Sequence, residues 1–319
     1  ALNIPEADIN LGIGSGTHAE QVGNSMIALE KVFMQEKPDW VVIYGDVNAT
    51  MAATVAAKKL HIKVCHVEAG LRSYDEKMPE EINRLVTDRL ADLLLTPDKL
   101  SNLNLQKEGV EPRKIKFVGN IMIDTLEANR EKATNLNSRN IINSNIIEGQ
   151  MNREKGEGKR EKGIWKREYG EGIMEKGNGN MEKAGFEDQA SSYLQFALMT
   201  LHRPSNVDEQ KILTPIIRFL LDEVSNDQAI LWPIHPRTQK QLQKFGLWEE
   251  VLSNEKLILL HPLGYHDMLK LNMEAKIMLT DSGGLQEECT VLGTPCLTLR
   301  WNTERPITLR EHGGASVLV

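Results

Sequence analysis

The residues best suited to chemistry cluster in the stretch from Ala275 to Pro306. A short apolar run, Ile277 to Leu279, leads into Asp281, Ser282, Gly283 and Gly284, and LQEECTVLG follows as a helix ending at Gly293. A strand that turns through two glycines into a helix leaves backbone N–H groups pointing outward at the helix start. These groups and the helix dipole favour an anion, and Ser282 adds a hydroxyl donor. Glu288 sits one turn further on, badly placed for a phosphate but well placed for a pair of sugar hydroxyls. The chemistry read from these residues is a nucleotide-sugar site, with diphosphate on the amides and ribose on Glu288. The same pattern fits an ordinary βα turn equally well.

Other polar residues stand at the ends of apolar runs. WVVIYGDV (40–47) reads as a strand ending in Asp46, and KVCHVEAG (63–70) as one ending in Glu68. LQFALMTLH (194–202) ends at His202, AILWPIHP (229–236) carries His235, and KLILLHPL (256–263) carries His261. Ligands of open parallel sheets bind beyond the carboxyl ends of the strands, where these residues fall. Between the strands lie helical stretches, Ala19 to Gln35, the alanine-rich run to Leu60, and a helix opened by Pro79. Glu80 and Glu81 in its first turn match helix-start chemistry. Further helices are expected over 206–225 and Tyr265 to Asn272. Alternating strand and helix implies α/β architecture with parallel sheets in both halves. GIGSG (12–16) lacks the third glycine of a dinucleotide fingerprint and reads as a loop.

The totals bound the class. The chain has 319 residues, room for two domains. A net charge of -7 argues against nucleic acid as a partner. No apolar run reaches the roughly 18 residues of a membrane span. Cys65, Cys289 and Cys296 have no metal-ligand spacing and read as reduced core thiols of a cytoplasmic protein. Residues 134–192 break the pattern. KREKG (159–163) recurs as KREYG (166–170), and residues 151–183 hold nine Lys/Arg against seven Asp/Glu. So balanced and glycine-rich a stretch is expected to be a disordered, low-complexity insertion, in which Trp165 and Tyr169 are the only large aromatics of the repeat.

GDVNAT (45–50), HVEAGLRS (66–73), MPEEINR (78–84), GNIMID (119–124), TLHRPSNVD (200–208), PIHPR (233–237), DSGGLQEE (281–288) and TERP (303–306) occur in that order. Together they closely resemble the non-hydrolysing UDP-N-acetylglucosamine 2-epimerases, over nearly all of 1–133 and 193–319. The resemblance implies a glycosyltransferase-B-like fold with an N-terminal Rossmann-like domain over 1–133 and a C-terminal, UDP-binding one over 193–319. Residue by residue, Asp46, Glu68 and Glu80 match the family's catalytic acids and His202 its active-site histidine. Ser282, Gly283, Gly284 and Glu288 match the UDP site, Arg305 matches a diphosphate-contacting arginine, and His235 lies near the same site. The resemblance further implies a homodimer that needs no metal and no cofactor. It also implies a first strand with its glycine turn upstream of Ala1, and closing helices beyond Val319. Where many bacterial members carry a Gln-His pair and HRRE for an allosteric UDP-sugar, this chain reads GTH (16–18) and HRPS (202–205), so that second site is not expected.

The reaction implied is inversion at carbon 2 of UDP-N-acetylglucosamine to give UDP-N-acetylmannosamine. No carbonyl acidifies the hydrogen on carbon 2, so inversion requires either oxidation next door or loss of UDP to a glycal. Without a dinucleotide fingerprint, elimination and re-addition are favoured. Alternatives are a UDP-sugar glycosyltransferase of the same fold, which needs no acid trio, and an inactive fragment that only binds UDP-sugar.

Overall fold

The computed structural model describes residues 5–147 and 196–319. Their chain forms two compact units, one of Ala1–Thr125 with Arg300–Gly314, the other of Leu126–Leu299 with Ala315–Val319.

In the first unit, β1 (Trp40–Tyr44), β2 (Lys63–Val67), β3 (Leu93–Thr96) and β4 (Ile115–Phe117) form a parallel sheet in chain order. Helices His18–Glu36, Asn48–Lys59, Pro79–Leu90 and Lys99–Lys107 alternate with them. Thr17 and Glu20 close a capping box at the first helix start, and 12–16 precedes it without regular structure, as expected. Alanine spacing in Asn48–Lys59 lets Ala53, Ala56 and Ala57 pack closely against Val64 and Leu94. Pro79 stands at the first helical position with Glu80 and Glu81 in the first turn, as the sequence suggested.

The second unit holds β5 (Phe196–Thr200), β6 (Ala229–Pro233), β7 (Leu257–Leu260), β8 (Ile277–Thr280), β9 (Cys296–Thr298) and β10 (Ser316–Leu318). They pair in the order β10-β9-β8-β5-β6-β7, all parallel. Phe196, Ala197, Leu198 and Met199 of β5 are fully buried, as a central strand covered on both faces demands. The chain moves from β5 outward through β6 and β7, then returns to place β8 on the other side of β5. The sheet therefore has a topological switch point between β5 and β8, the position where α/β sheets take ligands. Both units are Rossmann-like, in keeping with the glycosyltransferase-B-like class.

Three sequence expectations need correction. The helix expected over 206–225 is divided into Pro204–Val207, Gln210–Phe219 and a π-helical turn at Leu220–Val224. The break between the first two pieces falls at Glu209, whose backbone is extended (φ -108°, ψ 122°), while Asp208 before it keeps helical dihedrals and accepts side-chain bonds from Arg237 and Gln241. The stretch read as a low-complexity insertion from 134 onward begins with a helix, Ser138–Asn145, whose Ile141 and Ile142 are buried against Phe196, Leu231 and Leu260. Its apolar face was hidden by the glycine-rich composition of the residues after it. The rest of that insertion, with Trp165, Tyr169 and the repeat, lies outside the described residues. Finally, residues 300–314, expected with the C-terminal half, belong to the first unit, where Asn302 donates to Asp75 at 2.9 Å and Arg305 reaches Glu68.

Candidate active-site residues

In the first unit the expected acids stand where β1 and β2 end. Glu68 follows β2 with φ of 73°, a left-handed conformation that costs a non-glycine residue on the order of 1–3 kcal/mol. Bonds from the Glu68 and Ala69 amides to Leu95 O, at 3.1 and 3.0 Å, hold it there. So does Gly70, where an added Cβ would lie 2.6 Å from Ser101 O. Asp46 pairs with Arg84, a guanidinium that is almost wholly buried and also donates to Glu81 at 2.7 Å. Asn83 donates to Asp46 O at 2.8 Å, fixing the backbone of the same turn. Glu81 also accepts from the Ser73 and Tyr74 amides at 3.0 Å each. Burial raises its carboxyl, but the Ser73 amide and Arg84 outweigh this and leave it below the usual range. Glu80, one residue earlier, is half-buried on the same turn.

Arg305 lies between two carboxylates, donating to Glu68 at 2.6 Å and Glu304 at 2.5 Å. Glu304 also accepts from Arg300 at 2.7 Å. Burial raises the Glu304 carboxyl, yet the charges of Arg305 and Arg300 bring it down to about 2. Arg305, expected at the diphosphate, is thus joined here to the expected catalytic Glu68.

In the second unit the switch point is occupied by His202, Asp281 and the turn into the helix Gly283–Leu292. His202 follows β5 and Asp281 follows β8, strands paired in register from Ala197↔Ile277 to Thr200↔Thr280. His202 Nδ1 lies 2.9 Å from Asp281 Oδ1. Asp281 Oδ2 accepts from the His202 and Arg203 amides at 2.9 and 2.7 Å and from Asn206 Nδ2 at 3.2 Å. Burial raises this carboxyl, but the His202 side chain and the two amides more than compensate and hold it below its usual range. The His235 ring is 5.6 Å from that of His202. His235 is the N-cap of the helix Pro236–Lys244, its Nδ1 accepting from the Arg237 amide at 3.1 Å, so that nitrogen carries no hydrogen. Burial, then the neighbouring His202 and Arg237, lower its affinity for a proton.

Ser282 is the N-cap of Gly283–Leu292, its hydroxyl accepting from Leu285 N at 3.4 Å while its own hydrogen remains to donate. The Gly283 and Gly284 amides have no partner within the helix, as at any helix start. Gly293 ends the helix in the left-handed conformation, φ 77°, where glycine was expected as the stop. Glu288 is buried in the second turn. Burial drives its carboxyl up to about 7, the charge of Glu287 adds to this, and Asn272 and Tyr265 offset part of it. The Tyr265 phenol is raised in turn to about 12, by burial and by Glu288.

The second unit thus brings together His202, His235 and Ser282–Gly284, with Glu288 on the same helix; the first brings together Glu68 and Arg305. Asp281, Asn206, Tyr265, Arg84, Glu81 and Glu304, which pair with or brace these candidate residues, were not singled out as site residues by the sequence. Asp281 was recoverable, since it is an acid at the end of a buried strand, the very signal that marked Asp46 and Glu68. Among the described residues no His/Cys/Asp/Glu group is arranged to hold a metal. None of the described helices is long and apolar enough to cross a membrane.

The family described as UDP-N-acetylglucosamine 2-epimerase matches residues 1–155 and 173–319. The UDP-N-acetylglucosamine 2-epimerase of Methanocaldococcus jannaschii is 40% identical over 320 residues, which cover 100% of this chain and 75% of that protein. The UDP-2,3-diacetamido-2,3-dideoxy-D-glucuronate 2-epimerase of Pseudomonas aeruginosa is 34% identical over 305 residues, 95% of this chain and 70% of that one. The crystal structure of the M. jannaschii UDP-GlcNAc 2-epimerase in complex with UDP-GlcNAc and UDP superposes with a TM-score of 0.78, covering 99% of this chain and 75% of that chain. With eight motifs in order, two parallel α/β units and a match along nearly the whole sequence, the chain belongs to the UDP-N-acetylglucosamine 2-epimerase family.

Proposed function

We propose that the protein interconverts UDP-N-acetylglucosamine and UDP-N-acetylmannosamine by eliminating UDP and re-adding it to a glycal. The observation that carries this is the 40% identity along the whole chain to the M. jannaschii enzyme, whose crystal structure is a complex with UDP-GlcNAc and UDP. In this reading Ser282, Gly283, Gly284, His202 and Arg305 take the diphosphate, and His235 lies at its margin. Departure of UDP builds negative charge on the phosphate oxygens, and donors fixed in advance stabilise it without reorganisation. Glu288 takes the ribose hydroxyls. Asp46, Glu68 and Glu80 remove and return the proton on carbon 2, the part of the chemistry that a glycosyltransferase lacks. A carboxylate becomes basic enough for that only where solvation is poor.

The chain is expected to act in the cytoplasm as a homodimer, a state that light scattering would read as twice the chain's 35.9 kDa. The central experiment is turnover of UDP-GlcNAc in deuterated water. Appearance of UDP-ManNAc with deuterium at carbon 2 is the expected result. Release of UDP with transfer of the sugar to an acceptor, and no label, would replace this reading with that of a transferase. The P. aeruginosa relative makes the diacetamido uronic acid the second substrate to assay.

A further inference from the structure

Asp281 meets five hydrogen-bond contacts with two oxygens, and their division between those oxygens has a chemical consequence. We propose that Asp281 is a positioning residue that fixes the tautomer of His202, making Nε2 the nitrogen that faces the ligand and exchanges the proton. The inference rests on the reading of His202 as an active-site residue.

Oδ2 is committed to backbone and amide donors: His202 N at 2.9 Å, Arg203 N at 2.7 Å and Asn206 Nδ2 at 3.2 Å. Asn206 is itself fixed, since the same Nδ2 donates to Leu299 O at 2.8 Å. Oδ1 lies 3.2 Å from His202 N and 2.9 Å from His202 Nδ1. A carboxylate only accepts, so the hydrogen of that last bond belongs to Nδ1. Asp281 is fully buried while the His202 side chain is 35% exposed, so the ring opens outward on its Nε2 side. Asp281 is also the residue before Ser282, and Ser282 N donates to Thr280 Oγ1 at 3.0 Å. Asp281 thus anchors the histidine through its carboxylate and directly precedes Ser282, the cap of the helix whose first amides are Gly283 and Gly284. In the proposed elimination the bond from carbon 1 to the phosphate oxygen breaks and its electron pair goes to that oxygen, while the proton on carbon 2 passes to a carboxylate of the acid trio and the carbon–hydrogen pair becomes the double bond of the glycal. The ring acts in its protonated form, whose Nε2–H donates to the departing oxygen; on re-addition the bond reforms and the donor is released.

Replacing Asp281 by Asn gives a sharp test. The two backbone amides require the single remaining oxygen of the new side chain to face them, so its NH2 group turns toward His202 Nδ1. That nitrogen then accepts, and the neutral ring carries its hydrogen on Nε2. The experiment is 15N NMR of histidine-labelled protein at pH 8.5, with His202 assigned by comparison with His202→Gln. In the wild type, Nδ1 is expected to be the protonated nitrogen and Nε2 the bare one, with the two exchanged in Asp281→Asn. Turnover of UDP-GlcNAc is expected to fall roughly 100-fold in kcat with KM little changed.

A wild-type ring protonated on Nε2, or a mixture of tautomers, would overturn the proposal even if the variant fails to fold. So would a variant with exchanged tautomers and full kcat. A wild type with the expected tautomer but no label entering at carbon 2 would instead refute the epimerase reading.

Discussion

Binding of a UDP-sugar should expel a proton from Glu288 near pH 6. In the unliganded protein its carboxyl is held up at about 7 from an ordinary 4.5, first by burial and then by Glu287. Two ribose hydroxyls donating to this group would add to the partners that Asn272 and Tyr265 already give the ionised form, and so favour ionisation. If the ligand restores the ordinary value, the gain is about 3 kcal/mol, or roughly 300-fold in affinity. The sign follows from the raised value: affinity is full above pH 7 and declines as pH falls from 7 toward 4.5. At pH 6 the free group is mostly protonated and the bound group mostly ionised, so about 0.9 of a proton leaves per ligand bound. Calorimetric titration at pH 6 in buffers of different ionisation enthalpy measures that number directly. UDP-GlcNAc is the ligand of choice, because its diphosphate is esterified at both ends and does not titrate there. Glu288→Gln isolates the contribution by difference. Equal proton release from the wild type and the variant would show that Glu288 does not ionise on binding, and would remove it from the ribose site.

Glu68→Gln and Asp46→Asn are each expected to abolish epimerisation while UDP binding stays largely intact. Activity above a tenth of wild type would end their assignment as catalytic. Glu304 is held down at about 2, so its contribution to folding is present above pH 4.5 and lost as pH falls toward 2. Urea unfolding of the wild type should show on the order of 2 kcal/mol lost between pH 5 and pH 3, a slope that Glu304→Gln should flatten. Ile142→Ala, which empties a position 1% exposed, should cost about 2–5 kcal/mol. A loss below half a kcal/mol would show that the helix Ser138–Asn145 contributes little to the second unit.

Much of this was legible because buried parallel strands and helix starts write local signatures. Ile277 to Leu279 and Gly293 predicted a strand and a helix stop, and both are present; the glycine pair, read as the turn, instead forms the first two residues of the helix, with Ser282 as its cap. What escaped were partners set by tertiary packing. Glu80 and Glu81 look alike as helix-start acids, and only the fold turns Glu81 inward onto Arg84. Arg305 meets Glu68 across 237 positions of sequence, a distance over which no local pattern speaks. Ile141 and Ile142 did carry an apolar face, but composition averaged over 134–192 diluted it.

The return of Arg300–Gly314 to the first unit sets an order of events during synthesis. A ribosome that has made the four strands β1 to β4 has not yet made the arginine that neutralises Glu68. Until residue 305 has emerged, the first unit has its sheet but not all of Arg300, Glu304 and Arg305, and the strained Glu68 carboxylate has no counter-charge from Arg305. The second unit's β5 to β9 are all made before that segment appears, and β10 only after it. Neither unit can therefore be completed before the segment that follows β9 is out. No single cut can release the two as separate pieces, and excising either one requires a new junction between its two segments.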